Sequence, residues 1–270
     1  MIQIQNLSMD YGGGSVFTDL NLDLHTGTMV GLIGPNGAGK STLLALLMRL
    51  IWPISGTIRM LDRPLASYRP RALARLMTLV PQDMQVGFAF RVEEIVAMGR
   101  NPHLGRFQAP SLRDLDIIRI AMEQTGVDAF ARRTIDTLSG GERQRAIIAR
   151  AIAQETPVVL LDEVTANLDL CHQLEVLALA RELAHGGRLI IAAIHDLTLA
   201  SRFCDRLVLL AECGIRAEGA PRAVLTEDNL DRFFGVEAHI EEAPVGGGLN
   251  ITPLLQRNKN GDGVSSRRMV

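Results

Sequence analysis

The sequence predicts an α/β fold: an antiparallel strand region, a parallel-sheet core and a helical segment inserted into that core. Three observations predict it. The glycine-rich stretch GPNGAGKST at 34–42 sits between a short apolar run and a helical one. Two nearly continuous apolar runs, 157–161 and 188–194, have the pattern of parallel strands buried on both faces. Between these landmarks, over 86–155, apolar residues recur at helical spacing rather than in alternation.

Taken in order, Ile2, Ile4 and Leu7 alternate, as do Phe17, Leu20, Leu22 and Leu24. The turn-prone Gly12-Gly13-Gly14 lies between them, so an antiparallel pair is expected. Met29 to Ile33 is a short buried strand ending at Gly34, and Ser41 to Leu50 reads as a helix broken by Trp52-Pro-Ile-Ser-Gly56. Short strands are expected at 57–61 and 77–80, then helices at 92–98, 112–125 and 142–153. Beyond the two buried strands, Leu207–Leu210 adds another, 228–234 is helical, and Val236–Ile240 with Leu249–Ile251 forms an edge hairpin. These boundaries divide one domain, 1–254, into a core (1–85 and 156–235), a helical lobe (86–155) and a hairpin (236–254), with a disordered tail at 255–270.

Bulk composition narrows the partners. Apolar residues at 47% and charged residues at 21% are ordinary for a globular chain and exclude a disordered one. A net charge of −2 gives no general drive toward nucleic acid or anionic lipid, although a local basic patch stays open. Cys171, Cys204 and Cys213 have no zinc or redox spacing and read as structural thiols of a reducing compartment. The N-terminus has no secretory pattern, and no apolar run approaches the roughly 20 residues that span a bilayer.

GPNGAGKST matches the phosphate-binding loop G-x-x-x-x-G-K-[ST] in its required strand–loop–helix setting. Gly34, Pro35, Asn36, Gly37, Ala38 and Gly39 would turn backbone N–H groups toward phosphate oxygens at a helix N-terminus. Lys40 would reach the β- and γ-phosphates, with Ser41 on Mg²⁺ and Thr42 closing the cradle. Downstream, Val158-Val-Leu-Leu161 runs straight into Asp162 and Glu163. Two acids ending a buried strand need a cation or donors nearby, so Asp162 is the expected metal partner, directly or through water, and Glu163 the expected general base or polariser of the attacking water. A second anion-sized site is expected where Ser139, Gly140 and Gly141 open an amphipathic helix.

In combination these motifs resemble the ATP-binding-cassette family over residues 2–235. GPNGAGKST, Gln82 after Val80-Pro81, LSGGERQR, VVLLDE, Ala166-Asn-Leu-Asp169 and His195 occur in the family's order, and LSGGERQR is specific to it. The resemblance implies ATP and Mg²⁺ as ligands. It implies that Tyr11 stacks on adenine, that Gln82 senses metal and γ-phosphate, that Asp169 communicates between subunits, and that His195 is a γ-phosphate switch. It also implies a head-to-tail homodimer, each ATP held between one copy's Lys40 loop and the other's Ser139 turn. Two positions depart from the pattern: Val164 stands where proline is usual, and Ala166 precedes Asn167.

The stretch Val92 to Gly105 resembles the subgroup powering uptake of iron-siderophores, haem and cobalamin; ATPases for molybdate or other metals share much of it. Such a subunit is peripheral at the cytoplasmic face of the inner membrane. Its implied partners are a polytopic permease and, through the complex, a periplasmic or surface substrate-binding protein, with no nucleic acid. Val86, Phe88, Phe90 and Met98 fit a groove for a permease helix and fit core packing equally well. A soluble, non-transport cassette ATPase is the alternative; it would carry long coiled coils or a second cassette, and neither is in the sequence.

Overall fold

The computed structural model describes residues 1–82, 89–166 and 168–254. Along the chain come β1 (Ile2–Asp10), β2 (Ser15–Leu24), β3 (Thr28–Ile33), α1 (Lys40–Leu47), β4 (Ser55–Met60), β5 (Arg63–Pro64), α2 (Pro70–Ala74) and β6 (Met77–Val80). Next are α3 (Val92–Ala97), α4 (Leu112–Gln124), α5 (Gly140–Ala153), β7 (Val158–Asp162), α6 (Leu170–His185), β8 (Leu189–Ala193) and α7 (Leu197–Phe203). The chain then forms β9 (Arg206–Ala211), β10 (Gly214–Gly219), α8 (Pro221–Val224), α9 (Glu227–Asn229), β11 (Ala238–Glu242) and β12 (Leu249–Pro253).

The described strands make three sheets. An antiparallel sheet has the order β2-β1-β4-β5, and the central sheet has the order β10-β9-β3-β8-β7-β6. In the central sheet every pairing is parallel except β10 with β9 at one edge. β11 and β12 pair antiparallel as a separate hairpin.

Burial on both faces explains the uninterrupted apolar strands. Val158 and Leu160 of β7, Leu189 and Ile191 of β8, and Val30 and Leu32 of β3 face one core, shared with α1 and the antiparallel sheet. Their neighbours Val159, Leu161, Ile190, Ala192, Met29 and Ile33 face a second core, shared with α3, α4 and α5. Since side chains alternate along a strand, a layer covered on both sides needs apolar residues at every position. Gly31 interrupts the run for a steric reason: a Cβ there would lie 2.7 Å from Leu207 Cδ2 and 2.8 Å from Cys204 Sγ.

Several expectations need correction. α6, β10, α7, α2 and α8 are absent from the sequence reading. Asp169, which caps α6 by accepting the His172 N–H at 2.9 Å, is the signal that would have found the longest of them. The helix expected to reach Leu50 ends at Leu47, where Arg49 swings to φ 55°. Only Cys204 is a core thiol; Cys171 and Cys213 are exposed. Phe90 and Met98 pack against the core of the helical layer, which favours core packing over a groove for these two. Val86, Phe88, Asn167 and the expected tail at 255–270 lie outside the described residues.

Candidate functional site

Strand order assembles the site. β3, β8 and β7 lie side by side and run the same way, so the segments leaving their C-terminal ends emerge together. Those segments carry the Gly34–Ser41 loop, His195, and the Asp162–Glu163 pair, and this edge of an open parallel sheet is where ligands bind.

The loop after β3 is built from glycines that no other residue replaces without strain. Gly34, Gly37 and Gly39 have φ of 147°, 80° and 94°. A Cβ on Gly34 would overlap the Leu210 carbonyl oxygen, and one on Gly39 would lie 2.6 Å from Phe17 Cζ. Inside the loop the buried Lys40 ammonium donates to the carbonyls of Gly34 at 2.9 Å and Pro35 at 3.2 Å. Burial lowers the Lys40 pKa, and the facing carboxylates of Glu163 and Asp162 oppose that shift.

At the end of β7, Asp162 Oδ1 accepts the Ser41 hydroxyl at 2.9 Å. Burial raises the Asp162 pKa and the neighbouring Glu163 charge adds to it, while the Ser41 hydrogen bond and Lys40 pull the other way. Glu163 sits at φ 51°, in the left-handed region, and its N–H donates to Ala193 O at 3.3 Å. That backbone turn directs its Oε1 to His195 Nε2, 2.5 Å away.

A pocket of about 340 Å³ lies over the loop, lined by Asn36, Gly37, Ala38, Gly39, Lys40, Ser41, Thr42 and Glu163. Tyr11 and Val16 complete its wall, and the Tyr11 hydroxyl stands 3.5 Å from Thr42 Oγ1. Val16 has no motif of its own; it is the second residue of β2, whose Ser15 pairs with Asp10 just before Tyr11, and that register is the signal that marks it. Gln82 follows the end of β6 by two residues, and Val80, the last residue of β6, is registered opposite Leu161, the residue before Asp162. The glycine cradle, the buried ammonium and the hydroxyl–carboxylate pair fit a polyphosphate bearing a divalent cation.

The remaining expected site residues lie elsewhere. Ser139 caps α5 in a reciprocal box: its N–H donates to Glu142 Oε2 at 2.8 Å, and its Oγ accepts the Glu142 N–H at 3.3 Å. Gly140 has open space around it, and Gly141 packs toward Leu168 and His172. Asp169 also accepts from the His172 ring, Nδ1 to Oδ1 at 2.8 Å. The hydrogen bonds from the His172 backbone and ring hold the Asp169 pKa low. None of Ser139, Gly140, Gly141 and Asp169 lines the pocket over the Lys40 loop.

A phosphate-binding loop after the third strand, with acids ending a parallel strand two places away in the same sheet, defines the P-loop nucleotide-hydrolase class. Residues 17–166 match the family model described as ABC transporter. The cobalamin import ATP-binding protein BtuD of Halobacterium salinarum is 42% identical over 257 residues, covering 95% of this chain. The chain spans 64% of that relative's length. The hemin import ATP-binding protein HmuV of Bordetella bronchiseptica is 42% identical over 252 residues, covering 90% of this chain and 95% of the relative. Among solved structures, a transporter described as metal-chelate type, in an inward-facing conformation, superposes with a TM-score of 0.82. It is 32% identical and covers 94% of this chain and 97% of its own. The chain belongs to the ABC transporter family.

Proposed function

We propose that this chain binds Mg-ATP and hydrolyses it as the motor subunit of an importer for iron-siderophores, haem or cobalamin. The observation that carries the ATPase reading is the convergence of three pairs at adjoining strand ends: Lys40 with its loop carbonyls, Ser41 with Asp162, and Glu163 with His195. The names of the relatives support the cargo class.

In this reading the Gly34–Gly39 amides and Lys40 hold the β- and γ-phosphates, and Tyr11 stacks on the adenine. Ser41, Asp162 and Gln82 would hold Mg²⁺, which supplies positive charge beside the phosphate oxygens. Glu163 takes a proton from the water that attacks the γ-phosphorus, and the bond from that phosphorus to the β–γ bridging oxygen breaks to leave ADP and phosphate. His195 orients the Glu163 carboxylate from 2.5 Å and contacts the γ-phosphate.

We read residues 1–85 and 156–235 as the catalytic core, 86–155 as a helical lobe and 236–254 as an accessory hairpin. Within one chain the Ser139 turn stands apart from the Lys40 pocket, so it is free to grip the ATP of a second copy, with Asp169 at the contact. Loss of the γ-phosphate would then weaken the clamp and turn chemistry into motion. Among the described residues no helix is long and apolar enough to cross a membrane, so in this reading a permease supplies the pore. The subunit then sits peripherally at its cytoplasmic face, and a substrate-binding protein delivers cargo from the other side.

The test is a pair of variants assayed for ATP binding and for phosphate release. Glu163→Gln should keep ATP affinity within about threefold while turnover falls by about 10² or more. Lys40→Ala should weaken ATP binding itself by at least about tenfold. Turnover that survives Glu163→Gln undiminished would refute the assignment of the general base.

A further inference from the structure

The hairpin of β11 and β12 stands outside the two larger sheets, and no step of the proposed mechanism uses it. It is nevertheless fastened to one particular element, α7. Ser201, buried in α7, accepts the Leu249 N–H on Oγ at 2.8 Å, and its own proton is within reach of Thr198 O at 2.8 Å and Leu249 O at 3.3 Å. Leu249 opens β12 and is itself buried. Without that hydroxyl a buried backbone N–H would lose its partner, which is costly.

The turn that joins the two strands makes a second, closer contact. Gly246, Gly247 and Gly248 all have left-handed φ, of 83°, 72° and 85°. The turn alone would account for that, but their surroundings differ. A Cβ on Gly248 would lie 2.8 Å from Arg202 Cα and 2.9 Å from Ser201 Oγ, so the hairpin lies against the backbone of α7 with no room for a side chain. A Cβ on Gly246 would meet the Arg202 guanidinium, with Nη2 at 2.7 Å, and one on Gly247 would meet nothing within 4 Å. The sheet side of the same segment is equally tight, since Cys204 directly after α7 leaves no space for a Cβ on Gly31 of β3. The C-terminal half of α7 is therefore gripped between the sheet and the hairpin.

The other end of this helix carries His195. α7 begins at Leu197, and its cap Asp196, the residue after His195, accepts the Leu199 N–H at 2.9 Å. Ser201 lies six residues beyond His195, about 9 Å along the helix axis. The His195 ring reaches Glu163 at 2.5 Å, and a displacement of about 1 Å in such a contact costs about 10² in rate. We propose that the β11–β12 hairpin braces α7, and that Ser201 and Gly248 are positioning residues that keep His195 at Glu163. The inference rests on the reading of those two groups as the working pair. No hairpin residue lines the pocket over the Lys40 loop, so the brace acts on turnover and leaves nucleotide affinity alone.

Steady-state phosphate release by the full chain tests this, with kcat and KM for ATP read separately. Ser201→Ala should lower kcat about threefold and Gly248→Ala at least about tenfold, each with KM within about twofold of the wild type. Gly247→Ala carries the same left-handed strain with no neighbour to displace, so it controls for a destabilised turn and should keep the wild-type kcat. Ser201→Ala adds no atoms and keeps the test intact if Gly248→Ala does not fold. The deciding comparison is made on His195→Ala. There neither Ser201→Ala nor Gly248→Ala should lower kcat further, because both act through the missing ring. Additive losses on that background, or a loss in Gly247→Ala equal to that in Gly248→Ala, would overturn the proposal. Impaired His195→Ala beside wild-type turnover in Ser201→Ala and Gly248→Ala sinks the brace alone. Wild-type turnover in His195→Ala sinks the reading of His195, and the brace with it.

Discussion

In the proposed mechanism two residues, Glu163 and His195, decide whether the Lys40 pocket does chemistry. Glu163 leaves β7 in a left-handed conformation that few side chains adopt, and this turn delivers its carboxylate to His195 at 2.5 Å. Replacing His195 with alanine should therefore lower kcat by about 10²–10⁴ with little change in KM for ATP, measured by steady-state phosphate release. Asp162 illustrates a conflict between function and stability. Burial raises its pKa above the ordinary 3.8, so the folded state holds this proton more firmly than the unfolded state does. Stability from this group accordingly falls as pH rises from 3.8 through the raised value, and the penalty persists at neutral pH. Asp162→Asn should raise the melting temperature of the nucleotide-free protein at pH 7 while weakening the Mg²⁺ dependence of ATP binding. Thermal unfolding with and without Mg-ATP would show both effects. The residue types at these positions were legible in the sequence, because adjacent acids after an apolar strand have few other uses. The Glu163–His195 contact was not, since the two residues follow different strands, β7 and β8.

At the scale of elements, a polar joint fastens the segment after α3 to α4 and α5. Arg100 is buried, and its Nε meets Asp114 Oδ1 at 2.9 Å while its Nη1 meets Ala153 O at 2.7 Å and Glu155 Oε2 at 2.9 Å. Asp114 also accepts from Ser111, N–H at 2.9 Å and hydroxyl at 2.5 Å, which closes the N-terminal box of α4. Those Ser111 hydrogen bonds, with help from Arg100, hold the Asp114 pKa at about 2. Asp114→Ala leaves the buried Arg100 without the more buried of its two carboxylate partners and should cost about 3 kcal/mol in urea unfolding. The stabilisation is present above the ordinary value of 3.8 and is lost as pH falls toward 2, so the gap between wild type and variant should narrow over that interval. Helical spacing announced α3, α4 and α5. The joint between them was not visible, because Arg100, Asp114 and Glu155 are far apart in the chain and each alone reads as a surface charge.

For the whole molecule, the separation of the Ser139 turn from the Lys40 pocket makes assembly the central question. If a second copy completes the site, Glu163→Gln should elute as a dimer in size-exclusion chromatography with Mg-ATP, because the clamp forms and is not discharged. The same protein without nucleotide should elute as a monomer. A variant that stays monomeric at saturating ATP would count against a site shared between copies. Lys40→Ala combined with Glu163→Gln should abolish the nucleotide-dependent dimer, which separates a failure to bind from a failure to assemble.

The sequence by itself determined the phosphate loop, the acid pair, the order of motifs and the α/β class, because each depends on residues adjacent in the chain or spaced by a helix or strand period. Only the tertiary structure decided which strand ends adjoin, that Tyr11 and Val16 share a wall with the loop, and that the glycine turn at 246–248 closes on α7. The physical reason is that a sheet orders its strands by packing on both faces rather than by their sequence. β8 therefore lies between β3 and β7 although it follows both in the chain, and that placement brings His195 to Glu163.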